Sequence, residues 1–204
     1  MSSIGDKICW ICHDGSTDLE PLEQPCPCPR YVHRGCLGRW QLQCAGRSEE
    51  CTCRFCGNAL PGLGETLTPA HLRQTEAAAF MAVTYNGESH KVPVRPGIEG
   101  VAEFRARVKC LFGMPYDADF NVSFFCMAPT TGEVMTFRGM QCFNAAATCA
   151  GISAARRAVG ETEITASPQQ ALPAGGGGVQ EGGRTGNLLQ RLRRIIRMKR
   201  RQEP

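Results

Sequence analysis

The sequence predicts a small finger knit together by its cysteines, then an α+β unit of order ββαββα, then a flexible basic tail. Three observations predict it. Nine of the thirteen cysteines stand at or before Cys56. An Asn-Gly hairpin signal with apolar residues on either side begins near Phe80. From Arg184 onward eight basic residues face Glu203 alone, so the end is +7 and the remainder −3, within a chain of +4. Hydrophobic residues at 42% and charged ones at 21% mark a chain that mostly folds. Its longest apolar stretch, near Ala145 to Ala150, is far shorter than a membrane span needs. Met1 to Lys7 has no apolar run after a basic start, so no secretory leader is expected. The expectation is a soluble protein of the cytoplasm or nucleus, with the basic tail as a means of peripheral membrane association.

The finger occupies residues 7–60. Its ligand candidates stand as Cys9-x2-Cys12, Cys26-x-Cys28, His33-x2-Cys36 and Cys53-x2-Cys56. Each gap lets a tight turn aim two side chains at one ion. In a chain that is not exported thiols stay reduced, so paired cysteines indicate metal rather than disulfides. Four pairs supply eight ligands, enough for two closed, tetrahedral, structural zinc ions. Spacing alone leaves open which pairs share an ion. An interleaved cross-brace puts Cys9, Cys12, His33 and Cys36 on the first zinc, and Cys26, Cys28, Cys53 and Cys56 on the second. Interleaving ties together a segment whose hydrophobic core is too small to hold it. Cys44 and Cys51 are spare. Cys51 could stand in for Cys53, whose gap to Cys56 is better, and no base is identifiable that would make Cys44 a nucleophile.

After the finger, Leu60-Pro61-Gly62-Leu63-Gly64 leads to Thr68-Pro69, which could cap a helix over Ala70 to Ala79. The α+β unit spans residues 78–158. Phe80 to Tyr85 is strand-like, Asn86-Gly87 turns it, and His90 to Val94 returns, with Pro93 indicating an edge. Apolar residues at Val101, Phe104, Val108, Leu111 and Phe112 trace one helical face within Ile98 to Met114. Asp119 to Met127 and Glu133 to Phe137 form a second hairpin around Thr130-Thr131-Gly132, and Phe143 to Val159 reads as a small-residue helix. Cys110, Cys126, Cys142 and Cys149 lack paired spacing and read as small buried hydrophobes. A Gly-rich linker follows over residues 159–186. In the tail, residues 187–204, apolar residues from Leu188 to Ile196 share one helical face among arginines. This basic amphipathic helix would meet an anionic membrane surface or nucleic acid.

The cysteine-rich quarter resembles the RING-CH (RINGv) family of zinc-finger ubiquitin ligases. The residues that carry it are Cys9-Trp10-Ile11-Cys12, Cys26-Pro27-Cys28, and Tyr31 to Trp40 with its His33 and Cys36. The single-residue gap after Cys26, histidine as fifth ligand, and Trp40 four residues after Cys36 are the family's marks. The resemblance implies the cross-brace, two zinc ions and no catalytic nucleophile. It implies a surface of Ile11, Pro27, Leu37 and Trp40 for a ubiquitin-charged conjugating enzyme, whose ubiquitin passes to a substrate lysine. Three features depart from the pattern. The gap from Cys28 to His33 is short, Gly57 stands where many RING ligases carry a basic residue, and no transmembrane helices follow. A PHD finger, which shares the ligand order and reads histone tails, is the alternative; the short gap suits it, but Cys51 stands where its tryptophan would be. A third reading is a scaffold that binds the conjugating enzyme without activating it. The order ββαββα in turn resembles ubiquitin-like and PB1-type β-grasp domains, which implies that residues 78–158 bind a protein substrate.

Overall fold

A computed structural model describes residues 7–161 and the backbone of 195–199. In the finger, β1 (Leu22–Glu23) pairs antiparallel with β2 (Val32–His33), and α1 (Arg34–Gln43) follows directly. The apolar centre here is small. Cys9, Val32 and Leu37 are buried, with Trp10, Ile11, Leu22 and Leu60 packed on them. So few apolar side chains cannot offset the conformational entropy of ordering this segment, so its stability must come from elsewhere.

The opposite side of α1 belongs to a different core. Leu42 joins Leu63, Leu67 and Leu72 in the same buried cluster as Val83, Phe104, Phe124 and Phe143. Gly38 and Gln41 are buried beside it. Leu63 and Leu67 lie on α2 (Leu63–Leu67), a short helix within the stretch where the sequence offered only Pro/Gly passage. The helix expected over Ala70 to Ala79 is a single 3-10 turn, Ala70–Leu72. Only Leu72 anchors it, and the alanines beyond run toward the sheet, where the Ala79 carbonyl accepts the Val94 N–H at 2.9 Å. Packing against the sheet overrides the alanines' helical propensity.

The sheet has five strands: β3 (Phe80–Tyr85), β4 (Glu88–Pro93), β5 (Asn121–Met127), β6 (Val134–Arg138) and β7 (Ile195–Lys199). They lie in the order β4-β3-β7-β5-β6. The β3–β4 and β5–β6 hairpins are antiparallel, while β7 runs parallel to β3 and antiparallel to β5. The first turn is Asn86 at φ 49° and Gly87 at φ 87°, the left-handed pair that a two-residue hairpin with right-twisted strands requires. Pro93 does lie on an edge strand. Both long helices, α3 (Ile98–Leu111) and α4 (Phe143–Ala158), cover one face. There the rings of Phe104, Phe124 and Phe143 meet at centroid distances of 4.9 and 6.1 Å.

Two expectations need correction. The tail was expected as a helix over residues 187–204, but Ile195–Lys199 is a strand. Without it β3 and β5 would each expose an unpaired edge, and one strand between them satisfies both ladders. Hydrogen bonding to two neighbours outweighs the helical spacing of the apolar residues, and the β-branched pair Ile195-Ile196 suits the change. The rest of the tail, and residues 162–186 of the linker, lie outside the described residues. Secondly, Cys110 is exposed, whereas Cys126, Cys142 and Cys149 are buried as small hydrophobes.

Candidate metal centre and adjoining groove

The turn at Cys9–Cys12 and the β2–α1 junction bring the first four ligands together; the Cys26–Cys28 turn and the Cys53–Cys56 turn bring the second four. The clusters are Cys9, Cys12, His33, Cys36 and Cys26, Cys28, Cys53, Cys56, with the ligand atoms of each within 4.8 Å of one another. First pairs with third and second with fourth, the interleaved arrangement. Two thiolates about 2.3 Å from a tetrahedral zinc stand about 3.8 Å apart. Cys28 Sγ and Cys53 Sγ are 3.8 Å apart and Cys36 Sγ lies 3.9 Å from His33 Nδ1, while Cys26 Sγ–Cys28 Sγ at 3.0 Å and Cys12 Sγ–His33 Nδ1 at 3.3 Å are closer and would open on binding an ion. The residues fit two zinc ions.

His33 is buried and held from behind. Its Nε2 lies 3.0 Å from the Gly15 carbonyl oxygen. Nε2–H donates there, which leaves the Nδ1 lone pair for the metal. The thiols are tuned in opposite directions. Burial raises Cys9, but the backbone N–H groups of Cys12, His33 and Ile11 outweigh it and hold the thiol down at about 7. The Asn58 N–H holds Cys56 down to about 6. Burial pushes both Cys26 and Cys36 up to about 12. Each cluster thus pairs a thiol that ionises readily with thiols that need a cation to do so.

Residues 9–56 match the family model of the RING-variant domain. These residues form a RING-variant domain. The match spans about a quarter of the chain. No curated protein and no solved structure matches the chain significantly. With protein ligands filling both sites, zinc in the RING-variant domain shapes loops and activates no water.

Between the two zinc loops of the RING-variant domain lies a shallow groove lined by Trp10, Pro25, Leu37, Trp40, Phe55 and Leu60. Trp10 sits at its centre, edge-on to Trp40 and to Phe55 with centroids 5.3 Å away in both cases. The Arg30 guanidinium stacks over Phe55 at 3.9 Å, and that of Arg54 stands 5.3 Å from the Trp40 ring. Of the four residues the resemblance implied for a conjugating enzyme, Trp40 lines this groove half-exposed. Leu37 is 3% exposed and forms the floor, because its side of α1 packs on Cys9 and Val32; it offers no surface for direct contact. Pro27 is exposed and Ile11 half-buried, and neither lines the groove. The groove also holds Trp10 and Phe55, which the sequence reading did not single out. Both stand between paired ligands, in Cys9-Trp10-Ile11-Cys12 and Cys53-Arg54-Phe55-Cys56, where a turn already turns the side chain outward.

The spare residues take structural roles or none. Cys44 is buried, 3.3 Å from Arg47 Nη2, and burial pushes its thiol up, away from nucleophilic use. Cys51 is exposed and belongs to neither cluster. Gly57 has φ +71° and donates its N–H to the Cys53 carbonyl at 2.8 Å. That left-handed turn closes the last zinc loop and disfavours any side chain there. Among the described residues no helix is long and apolar enough to cross a membrane.

Proposed function

We propose that the protein is a RING-type ubiquitin ligase that holds a ubiquitin-charged conjugating enzyme in the Trp10–Trp40–Phe55 groove. The observation that carries this reading is an aromatic cluster left half-exposed between two zinc loops, in a domain whose family generally has that activity. Aromatic anchors at the centre of a small, arginine-flanked surface suit the loops of a protein partner. Catalysis here is positional. The ligase holds the thioester so that a substrate amine meets a pre-arranged carbonyl, with no residue of its own forming a bond.

We further read residues 78–158 together with β7 as a β-grasp-like unit that recruits substrate. Supporting this is a sheet whose first and last strands lie side by side and parallel, with β4 outside the first and the β5–β6 hairpin outside the last. The test of the main reading is discharge of ubiquitin from a charged conjugating enzyme onto free lysine, with and without chelator. Acceleration that chelator abolishes supports a ligase. Binding of the conjugating enzyme at an unchanged discharge rate would instead support a scaffold, a reading that Gly57 favours because it places no side chain after the last ligand.

A further inference from the structure

One face of the five-stranded sheet carries both long helices, and among the described residues the other carries none. Alternation along the strands puts Phe80, Phe125 and Met127 on the uncovered face, all half-exposed, while their neighbours Met81, Phe124 and Cys126 point into the core. Lys91, in register with Ala82, and Arg138, in register with Ser123, stand exposed on the same face, on the two edge strands. Lys91 Nζ lies 4.1 Å from the Phe80 ring centroid, so the cation borders the apolar patch rather than standing apart from it. By register no acidic residue of β3, β4, β5 or β6 lies on this face; Glu88, exposed at the start of β4, pairs with Tyr85 on the other. At the centre, β7 brings Arg197 into register with both Thr84 and Ser123, two residues of this face.

An apolar patch with cations on both edges and no carboxylate is electrostatically one-sided. We propose that this sheet face docks a partner protein through an acidic segment that also carries apolar side chains. Charge complementarity decides the occupant. A like-charged or neutral apolar segment would leave Lys91 and Arg138 desolvated without partners. Nucleic acid is the weaker fit, because it requires cations at every phosphate step, and Phe125 and Met127, on the strand beside the central one, break any such row. The proposal deepens the substrate-recruiting role suggested above and rests on that reading only for the partner's fate, not for its binding.

The experiment uses the full zinc-loaded chain and a fluorescein-labelled peptide of repeated Glu-Glu-Leu-Phe units, with a control peptide in which Lys replaces Glu. The expected result is binding of the acidic peptide, weakened by salt, and at least roughly ten-fold weaker binding of the control. In Lys91→Glu/Arg138→Glu, checked for unchanged zinc content and circular dichroism, the preference reverses toward the Lys peptide. Backbone amide shifts should cluster on Phe125 and Met127. No binding, equal binding of the two peptides, tighter binding of a labelled oligo-dT, or shifts centred on Trp10 and Phe55 would each overturn the proposal. Because no ubiquitin is present, a failed discharge assay leaves this result untouched, and the reverse also holds.

Discussion

The Leu67 side chain fills the space where a Cβ on Gly38 would stand. A Cβ built on Gly38 would come within 2.7 Å of Leu67 Cδ2 and 3.1 Å of its Cγ. Leu67 is itself buried, so it has little room to yield. The close approach lets α1 of the zinc domain lie directly on α2. Gly38→Ala is expected to destabilise the protein by about 1–3 kcal/mol through overpacking. Leu67→Ala should cost about 2–4 kcal/mol through the cavity it leaves. In Gly38→Ala/Leu67→Ala the new methyl enters that cavity, so the double variant should lose less than the two single losses combined. Urea denaturation of the four proteins measures the coupling, and strict additivity would remove this contact from the account.

Gln41 is the polar counterpart of that joint. Fully buried, its amide donates to the Glu50 and Pro61 carbonyls at 2.9 and 2.8 Å and accepts the Thr66 hydroxyl at 2.7 Å. Gln41→Leu removes the donor from the Glu50 and Pro61 carbonyls, at a cost of about 1–3 kcal/mol for each left without water, while the Thr66 hydroxyl keeps the Leu63 carbonyl at 3.0 Å. Thermal unfolding should show a lowered midpoint with zinc content unchanged. An unshifted midpoint would mean that water enters the site freely.

Zinc removal should unfold the first domain, because Cys9, Val32 and Leu37 form its entire buried apolar cluster. Chelation is expected to shift Trp10 and Trp40 fluorescence to the red. Zinc added back near neutral pH should release protons, since thiols of the unfolded segment are mostly protonated there and bind the metal as thiolates. The sign follows from that release: lowering the pH must weaken zinc binding. A pH-indicator titration in dilute buffer measures the release, and a signal-free titration would rule out thiolate ligation.

Trp10 bridges Trp40 and Phe55, so its loss should disorganise the groove more than the loss of either neighbour. Trp40→Ala and Phe55→Ala are each expected to weaken binding of a conjugating enzyme by about 2 kcal/mol, roughly thirty-fold. Trp10→Ala should do at least as much damage, with zinc stoichiometry intact in all three. Ile11→Ala, outside the groove lining, should weaken binding less. Titration calorimetry would settle the ranking, and a silent Trp40→Ala would move the partner to another surface.

Deleting residues 195–204 removes β7 and uncovers the facing edges of β3 and β5. Hydrogen exchange at Val83 and Phe124 should accelerate, and the truncated protein should self-associate through the freed edges. Unchanged exchange would show that the sheet holds without its central strand.

The metal ligands were legible because their information is short-range: a gap of one or two residues already decides that two side chains share an ion. Asn86-Gly87 was legible for the same reason, as was the helical face of Val101 to Leu111. The role of β7 was not, since its partners lie more than a hundred residues earlier for β3 and about seventy for β5. Only the two open edges make Ile195–Lys199 a strand. The burial of Leu37 was not legible, because position in a motif does not reveal which side of a helix packs inward. The joint between the two parts escaped notice because its markers, Gly38 and Gly46, are glycines whose meaning lies in neighbours distant along the chain. A Cβ on Gly46 would meet Gln141 Cγ at 2.6 Å and Cys142 Sγ at 2.9 Å.

Helix α1 has a consequence for reach. Its inner surface underpins the aromatic groove, and its outer surface is sunk into the core that supports the sheet. Whatever sits in the groove and whatever sits on the sheet are therefore held at one distance and one bearing, with no hinge between them. A ligase built this way would mark its targets by ruler: lysines within a fixed arc would be modified, and those nearer or farther along the same target would be passed over.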